Sequence, residues 1–204
     1  MTRDNIIKAV KVRLEELTPF NEGLVVLSAS SDVKPITSYI DALLDEAGNE
    51  IKMLLPLHML TPDTLSATAT ITDGVGYLEL PADYLRLYAI KAAEWHREVN
   101  RPISTQNPEY TLQRNPFTRG KKVKPVVAIA HQGGKHVLEL YSLTSTTLEK
   151  KYYIKRTAAE AMPDTLIPYL VLMCAVKVCD AIERPDLAKI LGGELSDMIK
   201  IQTL

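Results

Sequence analysis

The sequence predicts an α+β chain, mainly α, in which helices at both chain ends flank an inserted region of β-hairpin or sheet. Two observations carry this reading. Apolar residues recur at helical spacing over 1–60 and again over 160–204. Between 65 and 158 the period falls to two, with glycine-centred turns between the runs. A length of 204 residues with 46% apolar and 24% charged side chains suits one sizeable core, so 1–204 is read as a single domain with an insertion.

The first helix is predicted over 4–18: Asp4 caps it, Ile6, Val10, Leu14 and Leu17 form one apolar face, and Pro19 stops it. A serine-rich loop, Ser28 to Asp32, leads to Pro35. That proline opens a longer helix with Ile36, Ile40, Leu43, Leu44, Ala47, Ile51, Leu54 and Leu55 on one stripe, ended by Pro56. Near the C-terminus, Leu166, Ile167, Leu170, Val171, Cys174, Ala175 and Val178 make a wide apolar surface. Pro168 lacks an N–H and belongs in a first turn, which places that start near Asp164 or Thr165. The last helix starts at Pro185 and Asp186, with Leu187, Ile190, Leu191, Leu195, Met198 and Ile199 inward. Gly192 and Gly193 weaken it by about 1 kcal/mol each relative to alanine.

In the middle, ATATI and YLEL flank Asp73 to Gly76 as a hairpin, and Pro81 and Asp83 turn the chain into LRLYAIKAAEW. Leu85, Leu87 and Ala89 alternate there against Arg86, Tyr88 and Ile90, although a helix over 92–99 is also compatible. PVVAIAHQ and KHVLELYSL flank Gly133 and Gly134 as a second hairpin, and EKKYYIKR from Glu149 supplies another strand. Residues 100–125 have no period and carry Pro102, Pro108, Pro116 and Pro125, as in a long loop or short helical segment.

Composition limits the function. Lys plus Arg total 24 against 25 Asp plus Glu, so the chain as a whole lacks the field that grips nucleic acid. No apolar run reaches membrane-spanning length, and charges interrupt the N-terminal pattern, so no secretory leader is expected. Cys174 and Cys179 stand five residues apart, about 140° around a helix, and read as small core hydrophobes.

Sequences that announce catalysis fail in turn. Gly133, Gly134 and Lys135 lack the first glycine of a phosphate loop, since position 129 is Ile. No GxGxxG, GxSxG or HExxH occurs. A two-residue turn at Gly133 and Gly134 would make His131 and His136 cross-strand partners, but two ligands do not make a metal site. Glu94, Trp95, His96, Arg97 and Glu98 concentrate titratable groups, which reads as a packed Trp with solvated charged neighbours. No enzyme and no cofactor are expected.

Two basic clusters remain. Lys150, Lys151, Lys155 and Arg156 surround Tyr152 and Tyr153, the pattern of an exposed strand or of a nucleic-acid track. The other lies in the long loop, where Tyr110, Leu112 and Phe117 are apolar anchors among Arg114, Arg119, Lys121, Lys122 and Lys124. Those eight residues are the candidate partner-binding set, because anchors of this kind have little reason to sit on a solvated spacer. Residues 104–124 are accordingly expected to be mobile in the free subunit and ordered by contact.

Three strings carry a resemblance: SYIDALLDEAGNEI from Ser38, GYLELPADYLRLYAIKAAEW from Gly76 and RPDLAKILGGELSDMI from Arg184. With the order helix, helix, β insertion, helix, helix, they resemble the head-to-tail connector (adaptor) family of tailed phages. The resemblance implies a small helical bundle from both chain ends, here 1–60 and 160–204, with β elements of 65–158 projecting from it. It further implies a structural virion protein of the neck, assembled in the host cytoplasm as a homo-oligomeric ring, commonly of twelve copies. Such a ring binds the portal and the next neck or tail protein and surrounds the DNA channel. The last helix is followed only by Ile201 to Leu204, so no long C-terminal arm into the portal is expected. A small phage nucleic-acid-binding or regulatory protein is the alternative, favoured if the two basic clusters share a face.

Overall fold

The computed structural model describes residues 1–15 and 36–202, and the chain divides into two compact units. One comprises Met1–Leu60 with Thr157–Leu204, and the other Thr61–Arg156. In the helical unit, α1 (Arg3–Glu15), α2 (Ile36–Leu54), α4 (Ile167–Ala181) and α5 (Pro185–Ile201) pack together, with α4 against the other three. Ile6, Val10 and Leu14 of α1 and Ile40, Leu44, Ala47 and Ile51 of α2 are buried, one per helical turn. Helix α4 is buried over much of its circumference, Cys174 and Cys179 included, and burial pushes the two thiols up to about 12 and about 11. A single turn of tighter helix, Asp164–Leu166, precedes it, and Pro168 sits in its first turn. Asp45 ties the ends together: it accepts from the Ala159 amide at 2.8 Å and from Arg3 at 3.0 Å.

The β unit contains two sheets. Strands β1 (Asp63–Thr64), β8 (Leu148–Lys155) and β4 (Tyr84–Ala92) form one, in the order β1-β8-β4. Strands β2 (Thr70–Thr72), β3 (Val75–Glu79), β7 (Lys135–Tyr141), β6 (Val127–Gln132) and β5 (Ile103–Ser104) form the other, in the order β2-β3-β7-β6-β5. Leu78, Leu138, Leu140 and Val127 of the larger sheet share a core with Leu87, Ile90, Trp95 and Tyr153. The opposite face of the larger sheet carries Tyr77, Glu139, Tyr141 and Ala128. Both tight turns have the left-handed pair of residues that two-residue hairpins require: Asp73 and Gly74 at φ 52° and 72°, Gly133 and Gly134 at φ 57° and 80°.

The mainly α expectation, a small helical bundle with an inserted hairpin region, is therefore corrected. The described residues are 43% helix and 24% strand, with sheets of three and five strands. The local pattern shows hairpins but not their long-range pairing. Strand β3 continues past its hairpin partner to pair with β7, Val75 opposite Tyr141, and β4 pairs with β8 instead of β3. Three register shifts in the β4–β8 pair break the alternation expected of LRLYAIKA, so Ala89 and Ile90 are both buried. No helix forms over 92–99; Val99 bridges back to Ile90. Leu54 and Ile190, expected inward, are exposed. Leu17, Pro19, the Ser28 to Asp32 loop and Pro35 lie outside the described residues.

Candidate functional site

Residues 104–124 make a network of hydrogen bonds within the β unit. Asn107 caps a short helix, α3 (Pro108–Gln113), by accepting from the Glu109 amide at 2.9 Å, and Pro108 occupies its first turn. The buried Gln113 side chain accepts from the Gly120 amide at 2.7 Å and donates to the Glu109 carbonyl at 3.1 Å. Thr118 donates to the Leu112 carbonyl at 2.7 Å, Arg119 to the Asp73 carbonyl at 2.9 Å, and Ser142 to the Gly120 carbonyl. The period-free sequence concealed this because side chains, rather than a backbone ladder, make most of these bonds.

Upon this frame the apolar anchors point outward. Phe117 is 88% exposed, Leu112 52% and Val123 64%. Leu112, Val123 and Val126 line a groove of about 380 Å3 rimmed by Lys121 and Lys124. Phe117, Leu112 and the exposed lysines thus stand on a hydrogen-bonded segment, whereas Tyr110 turns inward. Its ring packs on the outer sheet face with Tyr77 and Tyr141, and Arg114 lies over it at 5.8 Å. Lys122 is also engaged within the subunit: its ammonium pairs with Glu94 at 3.0 Å.

A second concavity, about 770 Å3, opens on that sheet face between α3 and the β2–β3 turn. At its floor Glu139 is only 6% exposed and accepts from Tyr141 at 2.5 Å and Gln132 at 2.9 Å. Burial and then the Glu139 carboxylate push the Tyr141 phenol far above the usual range. Burial raises Tyr110 likewise, with Glu139 acting in the same sense and Arg114 against it. The sequence offered no signal for Glu139, since in KHVLELY it falls on the alternate positions that a one-sided sheet exposes.

Glu94 is not the solvated neighbour of Trp95 that the sequence suggested. Its carboxylate accepts from the Thr144 hydroxyl and amide and pairs with Lys122, joining three segments. Burial raises its pKa, but the Thr144 bonds and Lys122 outweigh that and hold it at about 2. A carboxyl depressed from its ordinary value contributes stability above the unfolded pKa of about 4.5, lost as pH falls toward 2. Glu94→Gln is expected to cost about 1–2 kcal/mol at pH 7 and to flatten the stability profile between about pH 4.5 and 2. Urea unfolding at several pH values measures both, and a variant with the wild-type acid slope would rule the clamp out.

His131 and His136 do pair across the second hairpin, their rings edge to face at 4.6 Å. Among the described residues no group of three or more His, Cys, Asp or Glu side chains is placed to hold a metal. The second basic cluster carries counter-ions of its own: Lys150 pairs with Glu98 at 2.6 Å and Lys155 with Asp63 at 3.3 Å.

No family model and no curated protein matches the chain. What the arrangement offers chemically is a basic surface with exposed apolar side chains. Such a surface binds by burying its anchors, while its lysines select the partner's charge.

Proposed function

We propose that the chain is a structural adaptor of a tailed-phage neck, acting by self-assembly into a ring and by binding portal and tail proteins. The observation that supports this best is the outward set Leu112, Phe117 and Val123 on a segment that hydrogen bonds tie to the β unit. Exposed apolar side chains on mobile loops cost little and mean little. Leu112 and Val123 line one groove and Phe117 stands exposed on the same segment, apolar area whose desolvation is worth most when a protein covers it. The resemblance in the α2, β3–β4 and α5 strings supports the same reading. The nucleic-acid alternative draws less support, because lysines of the second cluster are already paired with carboxylates of the β unit.

Electron microscopy of the purified protein, alone and with portal protein, tests the proposal. Closed rings are expected, on the portal if not alone. A strict monomer at high concentration that also forms no co-migrating ring with portal would sink it.

A further inference from the structure

Charge is divided unequally between the two units, and the division names a docking partner for the exposed segment. Residues 61–156 hold 14 Lys and Arg against 9 Asp and Glu, a formal charge of +5. Residues 1–60 with 157–204 hold 10 against 16, a formal charge of −6, and the two together give the −1 of the whole chain. Copies of one chain with this division attract when the β unit of one meets the helical unit of another, and repel in like-to-like contacts.

The helical unit has a face of matching character. Along α5, Asp186, Ile190, Gly193, Asp197 and Ile201 recur every three or four residues, so they share one side of the helix, and all five are exposed. That side combines apolar side chains with the carboxylates of Asp186, 3.4 Å from Arg184, and Asp197, 3.1 Å from Lys200, both exposed ion pairs of the kind that exchange partners readily, as the segment at 112–124 combines apolar side chains with lysines. Among the described residues, nothing lies within 4 Å of where a side chain at Gly193 would begin, which leaves room for a ring above the helix. A mid-helix glycine there weakens α5 by about 1 kcal/mol relative to alanine.

We propose that Leu112, Phe117, Val123, Lys121 and Lys124 of one copy dock on the Asp186–Ile201 side of α5 of a second copy. The isoleucines meet the groove between Leu112 and Val123, Phe117 covers Gly193, and the two lysines face Asp186 and Asp197. Because the two surfaces differ, the contact is heterologous: each copy has one of each, and repetition closes a ring or runs on as a filament. This deepens the self-assembly reading and rests on it.

The test is a charge exchange in the full chain. K121E/K124E makes the projecting surface acidic, and D186K/D197K makes the α5 side basic. None of the four side chains is buried, and circular dichroism with thermal melting checks that each variant folds. Each variant alone is expected to self-associate at least about tenfold more weakly than wild type. An equimolar mixture should recover assembly, because every contact in an alternating array then pairs opposite charges, and the quadruple variant should recover it alone. Folded variants whose mixture and quadruple form both stay dissociated would overturn the contact, as would single variants that assemble like wild type. Loss of binding to a DNA duplex or to portal protein in K121E/K124E, with self-association intact, would overturn it in favour of that partner. A wild-type chain monomeric at every concentration, with and without portal, would instead sink the ring reading and this contact with it.

Discussion

Gly120→Val is expected to destabilise the β unit by about 2–4 kcal/mol and to free the segment that carries Phe117. Gly120 is buried, and a Cβ there would stand 2.7 Å from the Val126 amide nitrogen and 2.8 Å from the Val126 Cβ. No real Cβ tolerates backbone that close, so the 113–120 turn must move away from β6. Moving it costs more than the overlap, because the Gly120 amide donates to Gln113 and the Gly120 carbonyl accepts from Ser142. Both bonds bridge the turn, and leaving buried Gln113 unsatisfied adds desolvation. Gly133→Val supplies the contrast, since nothing lies within 4 Å of that site and only its φ of 57° opposes the change. Thermal unfolding is expected to show a melting temperature at least about 8 °C lower for Gly120→Val. Limited proteolysis should cut within 108–124 in that variant and spare the wild type. A Gly120→Val protein with wild-type stability would mean that the close approach to Val126 is not maintained in solution.

What the sequence made legible follows from how local each feature is. The turns at Asp73 and Gly74 and at Gly133 and Gly134 were readable because their chemistry lies in the turn residues themselves. The first turn around Pro168 was readable for the same reason. The fold class was not, because the pairing of β3 with β7 and of β4 with β8 joins residues some sixty positions apart, and no local period records it. Ile190 continues the apolar series of α5, which predicts it inward. Its neighbours Leu187, Ala188, Leu191 and Leu195 are the buried ones, which places the buried stripe to one side of it. At the candidate site, composition alone marked Leu112 and Phe117. Val123, set among lysines, carries no such mark, and Tyr110 and Lys122 are engaged within the subunit. Glu94 and Glu139 were missed because a carboxylate on an alternating strand or beside a tryptophan reads as solvated until its donors are placed from elsewhere in the chain.

The largest functional loss is expected from Leu112→Ser, Phe117→Ser and Val123→Ser combined, which should reduce assembly by at least about a hundredfold while leaving the fold intact. Stability should change little, because the three side chains are mostly in water already, and exposed substitutions usually shift it by no more than about 0.5 kcal/mol. Binding should change greatly. Exposed anchors on a rigid frame give up little conformational freedom when covered, so most of their apolar burial appears as affinity. The frame itself survives: Asn107, Gln113, Thr118 and Arg119 keep the bonds that shape 107–120. This separates the variant from Gly120→Val, which should lose assembly and stability together. Sedimentation velocity of the wild type and the triple variant at matched concentration, alone and with portal protein, gives the first readout. Differential scanning calorimetry gives the second. A triple variant that melts like wild type and assembles like wild type would show that the exposed apolar set is incidental. Loss of assembly with a melting temperature depressed by more than a few degrees would mean that these side chains serve the fold, and the surface would have to be sought elsewhere.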